Sequence, residues 1–458
     1  MQKHVWAVSV FLLGLALGVV GVAVLQNRPV TVLCQVPAPC AQVSPFGAVT
    51  FEFSRPVRSD LVEQAWQIDP PAAGRWEWLD ERHVRWKSIQ PLPADRKLTL
   101  GFAPGPLGRN GERLAAAASW QVSVRAPRIA ALVEKDGGLD LFSYPLDGES
   151  AAVQLSHTNG RIYDYQVSPD GETVVFSVYN ERGGIDLWTV QRDGSGQRLL
   201  LDCGADRCTT PAWSPSGPGA SRELAYTREG AGLDPDGPKG APRIWILDLR
   251  SGQTVPLFTD AQKIGYGPRW SPDGQWFSIW NGLEGGIEVV RRGSGEAFLL
   301  QSANGDAGSW TADSLFLYYA DTVAGETGFH NVVLRADIRQ GTAATILGGN
   351  AQGGGLSVSG PVPSPADEWV AVAVQENVQI PGKKLVLLFP ESKAGISISD
   401  DLSRIPGFYS WTPDGNFLVF QAYVLGGGGN ETEIWVWDRE TGTKSLISTG
   451  GRMPQWLP

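Results

Sequence analysis

A sixfold repeat is the feature that most constrains the fold of this chain. An apolar residue, often Trp, is followed by Ser or Thr and a turn resembling Pro-Asp-Gly, and a stretch of alternating apolar residues comes next. The Ser or Thr positions lie 40 to 57 residues apart: Ser168, Ser214, Ser271, Thr311, Ser364 and Thr412. A period of about 45 residues is typical of a β-propeller and is too long for leucine-rich or ankyrin repeats.

Each repeat predicts four antiparallel strands. In the unit that begins PRWSPDGQW (268–276), a first strand ends at Trp, a turn follows, and a second strand begins. A third strand carries a pair such as Ile-Trp or Ile-Asp, and a polar turn leads to a fourth. Period-two alternation bounded by Gly, Pro and Asp predicts strands and hairpins. Four such strands form one propeller blade.

The motif residues themselves are interpreted as structural. In isolation, Ser271 beside Asp273 could be a catalytic or metal-binding pair, but the motif recurs, and Ala312-Asp313 or Ser216 replaces it elsewhere. Pro suits the second position of a turn, Asp bonds the backbone beyond it, and Gly accepts a positive φ. We therefore predict blade corners and core positions at Ser168, Asp170, Gly171, Trp213, Trp270, Ser271, Asp273, Gly274, Trp310, Trp411, Asp414, Gly415 and Trp456.

The two ends of the repeat region complement each other. Residues 128–158 read as the second, third and fourth strands of a blade without its first, and GRMPQWLP (451–458) supplies such a strand alone. Pairing between them would close the ring and protect the strand edges. We therefore predict a seven-bladed propeller over 127–458, or six blades if the degenerate unit at 361–403 is not a blade.

Residues 41–125 have a different pattern. Several short alternating strands occur in about 85 residues, including "AVTFEFSRPV" (48–57) and a hairpin with aromatics on one face at 75–88. Such spacing favours a β-sandwich. The Pro-containing segment 26–40 is expected to be a semi-rigid linker. The predicted fold class is thus all-β, a sandwich followed by a propeller.

An apolar segment precedes the linker. Residues 5–25 contain no charge, and as a helix they would span roughly 31 Å, about one hydrocarbon core. We expect a single transmembrane anchor there, with residues 1–4 as a short cytoplasmic tail and the rest extracytoplasmic. The alternative is a cleaved signal peptide followed by secretion.

The four cysteines form two close pairs. Cys34 and Cys40 are six residues apart, and Cys203 and Cys208 are five apart. In an oxidising compartment both pairs are candidate disulfides. Free buried thiols are the alternative. A zinc site would need further ligands nearby, and no His adjoins either pair.

Charge and motifs argue against several function classes. The formal net charge of −10 disfavours a nucleic-acid partner. No G-x-S-x-G nucleophile elbow occurs in a hydrolase context, and only His157 and His330 lie in the repeat region. The sequence therefore predicts no catalytic residue, metal ligand or cofactor.

The repeat "W-[ST]-P-D-G … F … I-W … D … G" resembles TolB-like, WD-related propeller repeats over about 127–458. Residues 41–125, with "FSRPV" and "LTLGF", resemble the Ig-like domains of bacterial surface-layer proteins. These resemblances imply an envelope-associated binding or scaffold protein whose propeller meets a protein, peptide or glycan. The alternatives are a carbohydrate hydrolase or lyase that uses carboxylates at the funnel, and a sensor subunit.

Overall fold

The computed structural model describes residues 29–458, except 37–40, 95, 136, 148–149, 216–222, 233–236, 326–327, 349–356, 367–368, 378, 393 and 427–430. The chain divides into two compact units, Met1–Ala126 and Pro127–Pro458.

The first unit is a β-sandwich in its described part. Phe51, Phe53, Val84, Trp86 and Phe102 belong to one buried core between its sheets. One sheet contains, in order, Val32–Val36, Ala48–Phe53, His83–Ser88 and Gly74–Trp78; the other contains Gln42–Val43, Ala118–Val124, Lys97–Phe102 and Trp66–Asp69. A helix (Ser59–Ala65) and a short pair of strands (Gly105–Pro106 and Arg113–Leu114) complete it. The expectation of a linker over 26–40 is wrong for Val32–Val36, because this segment pairs antiparallel with Ala48–Phe53 as a strand of the first sheet.

Aromatic side chains fill this core, as the sequence pattern predicts. The hairpin expected at 75–88 is present, and Trp76 pairs with Trp86 across it. Trp66 packs edge-to-face on Trp76 with ring centroids 5.2 Å apart. Phe102 lies against both Phe51 and Trp66, at 5.1 and 5.3 Å. Such contacts add to the free energy gained by burying the rings.

The second unit contains seven four-stranded blades in the residues described. Each blade runs from an inner to an outer strand. Blade 1 consists of Gly451–Leu457, Arg128–Lys135, Gly138–Pro145 and Val153–Gln154; blade 2 of Ile162–Val167, Thr173–Tyr179, Ile185–Gln191 and Arg198–Leu201; blade 3 of Arg207–Trp213, Glu223–Glu229, Arg243–Asp248 and Thr254–Pro256; blade 4 of Tyr266–Trp270, Trp276–Asn281, Gly286–Arg291 and Ala297–Gln301. Blade 5 consists of Ser309–Trp310, Phe316–Gly325, Gly328–Asp337 and Thr342–Gly348; blade 6 of Ser357–Pro363, Val370–Gln375, Lys384–Phe389 and Ala394–Ser399; blade 7 of Arg404–Trp411, Phe417–Val424, Thr432–Asp438 and Lys444–Thr449.

The C-terminal strand closes the ring. It pairs antiparallel with Arg128–Lys135, so that Ile129 lies opposite Trp456. The Tyr165 hydroxyl of blade 2 donates to the Met453 carbonyl at 2.6 Å, which ties the closing strand to the next blade. The degenerate unit at 361–403 contributes a full blade, because Val370–Gln375 and its neighbours pair as in the other repeats. The prediction of seven blades is therefore the one that matches the observed topology.

The repeated motif forms the corner between the first two strands of a blade. The Ser271 hydroxyl donates to the Asp273 carboxylate at 2.5 Å and accepts from the Trp276 amide at 2.9 Å. Gly274 has a φ of +70°, which favours glycine. Ser168 with Asp170, Thr311 with Asp313, and Thr412 with Asp414 repeat the hydroxyl–carboxylate bond at 2.6 Å each. The hydroxyl and carboxylate are thus both used within the turn.

The tryptophans that end the inner strands connect neighbouring blades. The Nε1 atoms of Trp213, Trp270, Trp411 and Trp456 donate to the carbonyl oxygens of Gln166, Ala212, Val362 and Ser410 at 2.9 to 3.2 Å, each on the inner strand of the preceding blade. Trp310 instead donates to the Ser278 hydroxyl of blade 4 at 3.0 Å. Each indole therefore packs at a blade junction with its polar atom satisfied.

The expectation of a single-pass membrane protein is wrong for the residues that the structure describes. No helix among them is long and apolar enough to cross a membrane. The described helix Ser59–Ala65 has seven residues, whereas a span needs about 20. The segment 5–25, on which the expectation rested, lies outside the described residues.

Candidate functional site

The inner strands of six of the seven described blades are bulged rather than regular. Where pairing with the second strand shifts register, blades 1, 3, 4, 6 and 7 contain a residue of positive φ: Met453, Thr210, Gly267, Gly360 and Phe408. In blade 2 the register shift lies between Ile162 and Asp164 and leaves Tyr163 unpaired. A bulge redirects the side chain at that point. Because inner strands surround the centre of a propeller, these residues are presented there.

Three tyrosines of blades 2 and 4 come together at this level, and we call them the tyrosine cluster: Tyr163, Tyr179 and Tyr266. Tyr163 and Tyr179 pack edge-to-face with ring centroids 6.0 Å apart, and they are 41% and 42% exposed. Burial raises the pKa of Tyr266, and the neighbouring Tyr163 hydroxyl raises that pKa further. The cluster thus joins residues that are about 100 positions apart in the sequence.

Asp164 follows Tyr163 on the same strand, is buried, and lies close enough to Tyr179 and Tyr266 to raise the pKa of both. One carboxylate oxygen accepts from the Ser177 hydroxyl, and the other accepts from the Thr210 amide at 2.6 Å. Thr210 is the positive-φ residue of blade 3, and its hydroxyl shares a hydrogen bond of 2.7 Å with the Thr227 hydroxyl. Burial raises the pKa of Asp164 to about 6 despite these donors. Asp164 therefore fixes the bulges of blades 2 and 3.

Charged groups border the cluster on blade 3. Arg207 begins the inner strand and lies opposite Glu229 on the second strand. The Nε atom of Arg207 is buried without a hydrogen-bond partner in the part of the chain that the structure describes. Arg207 lowers the pKa of Tyr179, although burial and Tyr163 raise it more, and Glu229 is among the smaller causes that raise the pKa of Tyr266. The site therefore combines exposed aromatic rings with both signs of charge.

The predicted cysteine pairs have different outcomes. A disulfide joins Cys203, in the connection between blades 2 and 3, to Cys208 on the inner strand of blade 3, the pairing that their spacing predicts. Cys34 lies on the strand Val32–Val36, but Cys40 lies outside the described residues. The Cys34–Cys40 pairing therefore stays a prediction.

Groups suited to metal binding are sparse. Among the described residues no group of three or more His, Cys, Asp or Glu side chains could hold a metal ion. His157 is exposed, and its backbone amide donates to Gln197 at 2.8 Å. The structure does not describe the side chain of His330.

Sequence reasoning found the corners but missed the tyrosine cluster. Tyr163 and Tyr266 precede the repeat motifs at Ser168 and Ser271 by the same five positions, so the register of the repeat carried a usable signal. Tyr179 ends the second strand of blade 2. Only the bulges, which have no sequence signature for non-glycine residues such as Thr210, bring these rings together.

Comparisons with known proteins find similar solved structures but no matching family. No protein-family model and no curated protein matches the chain. Among solved structures, TolB from Acinetobacter baumannii is 13% identical over 86% of this chain and 83% of its own, with a TM-score of 0.42. A puromycin hydrolase is 17% identical, with 78% and 53% covered and a TM-score of 0.49. An oligogalacturonate lyase in complex with manganese is 14% identical, with 63% and 73% covered and a TM-score of 0.41. The propeller assignment itself rests on the sheet order and ring closure described above.

Proposed function

We propose that this protein is a non-enzymatic binding module whose propeller takes a protein, peptide or glycan partner at the tyrosine cluster. One observation carries the proposal: Tyr163 stands on a bulge, packs against Tyr179, and leaves both rings about two-fifths exposed. Tyrosine offers a large, rigid and amphipathic contact area at a low cost in conformational entropy. Arg207 borders the cluster and brings a positive charge to it.

The arrangement of Asp164 favours binding over catalysis. A general acid or base needs an oxygen that can reach the substrate. Both oxygens of Asp164 are used, one by Ser177 and one by the Thr210 amide. The carboxylate therefore supports a rigid platform for the tyrosine cluster, which lowers the entropic cost of binding a partner.

The first unit belongs to the same proposal. Its two four-stranded sheets around one core support the Ig-like assignment of residues 41–125 that the sequence resemblance implies. Domains of this architecture serve many unrelated functions, so the assignment adds a scaffold and no activity.

Arrays of glycans and peptides, probed with the full chain, test this function. A Tyr163→Ala/Tyr179→Ala double variant should bind the recognised probes at least about tenfold more weakly, because buried tyrosines often dominate binding energy. Tyr423→Ala is the matched control, since Tyr423 is also 42% exposed but lies on blade 7. Equal binding by the double variant, or cleavage of a bound oligosaccharide, would contradict the proposal.

A further inference from the structure

A cavity lies between blades 6 and 7, away from the tyrosine cluster on blades 2 and 4. It encloses about 170 Å³ and is lined in part by Lys383, Asp401, Arg404, Phe420, Trp435 and Lys444. Lys383 precedes the third strand of blade 6, and Arg404 begins the inner strand of blade 7. The Lys383 amide donates to the Arg404 carbonyl at 3.0 Å, which fixes the two blades together at this point.

Two carboxylates already neutralise the positive charge of Arg404. Its guanidinium donates to both oxygens of Glu433, at 2.7 and 3.1 Å, and also to Asp401. The same guanidinium lies 5.9 Å from the centre of the Trp435 ring. Arg404 is therefore a fixed wall of the cavity with its donors in use.

The ammonium groups of Lys383 and Lys444 form no such ion pair with a described carboxylate. Lys383 donates to the Ser359 hydroxyl at 3.0 Å, and Lys444 donates to the Ser399 hydroxyl at 2.8 Å. Neither Nζ atom lies within 4.0 Å of a carboxylate in the described part of the chain. An ammonium group has three N–H donors, so each lysine keeps donors for another acceptor. Burial lowers the pKa of both lysines.

Charge and size restrict what could fill the cavity. Of the charged side chains that line the cavity, Lys383, Arg404 and Lys444 are positive and Asp401 is negative. Glu433 neutralises Arg404 from outside the lining, and Asp401 and Asp400 both act on Lys444. Lys383 is therefore the lining cation on which no described carboxylate acts, which leaves one positive charge uncompensated. A cavity of about 150 Å³ accommodates one six-membered ring. Phe420 and Trp435 supply apolar and aromatic wall, and Lys444, which belongs to the exposed surface, marks a side that solvent reaches.

We propose that this cavity binds a monocarboxylate borne on a single six-membered ring, with the carboxylate between the ammonium groups of Lys383 and Lys444. The ring packs against Trp435 and Phe420. Two sources share this chemistry, a sugar acid and an aromatic acid, and the wall of the cavity admits either. This site is independent of the tyrosine cluster and of the function proposed for it.

Calorimetric titration of the full chain with sodium glucuronate and with sodium benzoate tests the proposal, and the two probes separate the sugar from the aromatic source. At least one should bind saturably. Lys383→Gln and Lys444→Gln should each weaken that binding by about ten- to hundredfold, the loss expected for a hydrogen bond to a charged group. Lys135→Gln is the matched control, because Lys135 bonds Gln154 on blade 1 and should leave the affinity unchanged.

The remaining outcomes are decisive as well. Glucose should not compete, because it lacks the carboxylate. Inorganic phosphate should compete poorly, because its negative charge exceeds the single negative charge that would neutralise the cavity. Saturable binding by neither acid in the wild-type chain would overturn the proposal, as would equal binding by both glutamine variants. If one variant does not fold, as judged by its thermal transition, the other variant and the wild-type titrations still decide the matter.

Discussion

Trp456 Nε1 donates a hydrogen bond of 2.9 Å to the carbonyl oxygen of Ser410. This bond joins the last strand of the chain to the inner strand of blade 7. Trp411 makes the same kind of bond to Val362 of blade 6. The ring is therefore closed by the interaction that also connects its internal blades, and the closing strand needs no separate device.

Replacing Trp456 by Phe should remove that bond and leave most of the packing. We expect the free energy of unfolding to fall by about 1 kcal/mol. The loss should be larger if no water molecule replaces the indole as a hydrogen-bond donor to the Ser410 carbonyl. Urea unfolding of the purified chain measures this change. Trp276→Phe is the control, because the indole of Trp276 packs on Phe298 and forms no hydrogen bond among the described residues; an equal loss in both variants would argue against the role of the bond.

Gly171 shows why the corner motif ends in glycine. It has a φ of +70°, and a Cβ atom there would lie 2.6 Å from the Pro458 carbonyl oxygen. Gly183 has a φ of +77°, but nothing lies within 4 Å of its Cβ position. Gly183→Ala should cost only the backbone strain of about 1 kcal/mol, and Gly171→Ala should cost clearly more. Thermal unfolding compares them, and similar losses would contradict the predicted contact with the C-terminus.

The Cys203–Cys208 disulfide closes a short loop. Because a cross-link restricts the unfolded chain, replacing both residues by Ala should lower the free energy of unfolding by about 2 kcal/mol. Chemical denaturation of the double variant measures the loss. A stability equal to that of the wild type would show that the loop gains nothing from the bond.

Asp164 predicts a pH dependence of unusual sign. Its pKa in the folded chain is raised to about 6, above the roughly 3.9 of an unfolded Asp. The folded state therefore binds more protons between about pH 4 and 6, and this group adds stability as the pH falls through that window. The stability of the wild type relative to Asp164→Asn should rise by up to about 3 kcal/mol between pH 7 and pH 4. A difference that is constant with pH would contradict the raised pKa.

The sequence predicted the parts of the fold that local chemistry decides. Turns such as Ser271–Gly274 use residues whose conformations and hydrogen bonds are set within a few positions, so the repeat, the blade corners and the closing strand could be inferred. The edge-strand argument also led to the pairing of residues 451–458 with the strands of 128–158, and the structure places Trp456 opposite Ile129.

The register of the repeat aligns Tyr163 with Tyr266, but the contacts that form the candidate sites depend on the packing of whole blades. Tyr163 reaches Tyr179 and Tyr266 because a bulge in blade 2 turns it and because Asp164 fixes the Thr210 bulge of blade 3. Lys383 and Lys444 line one cavity only because blades 6 and 7 pack together. Such placements follow from the tertiary packing of whole blades, and propensities and periodicity do not report them.

Hydrogen exchange of the full chain carrying Trp456→Ala tests the central claim, a ring closed by its C-terminal strand, most directly. If the last strand completes blade 1, weakening it should speed amide exchange in Arg128–Lys135 by about tenfold or more while Trp276–Asn281 of blade 4 changes less. Equal changes in both strands, or no change in Arg128–Lys135, would contradict the closure.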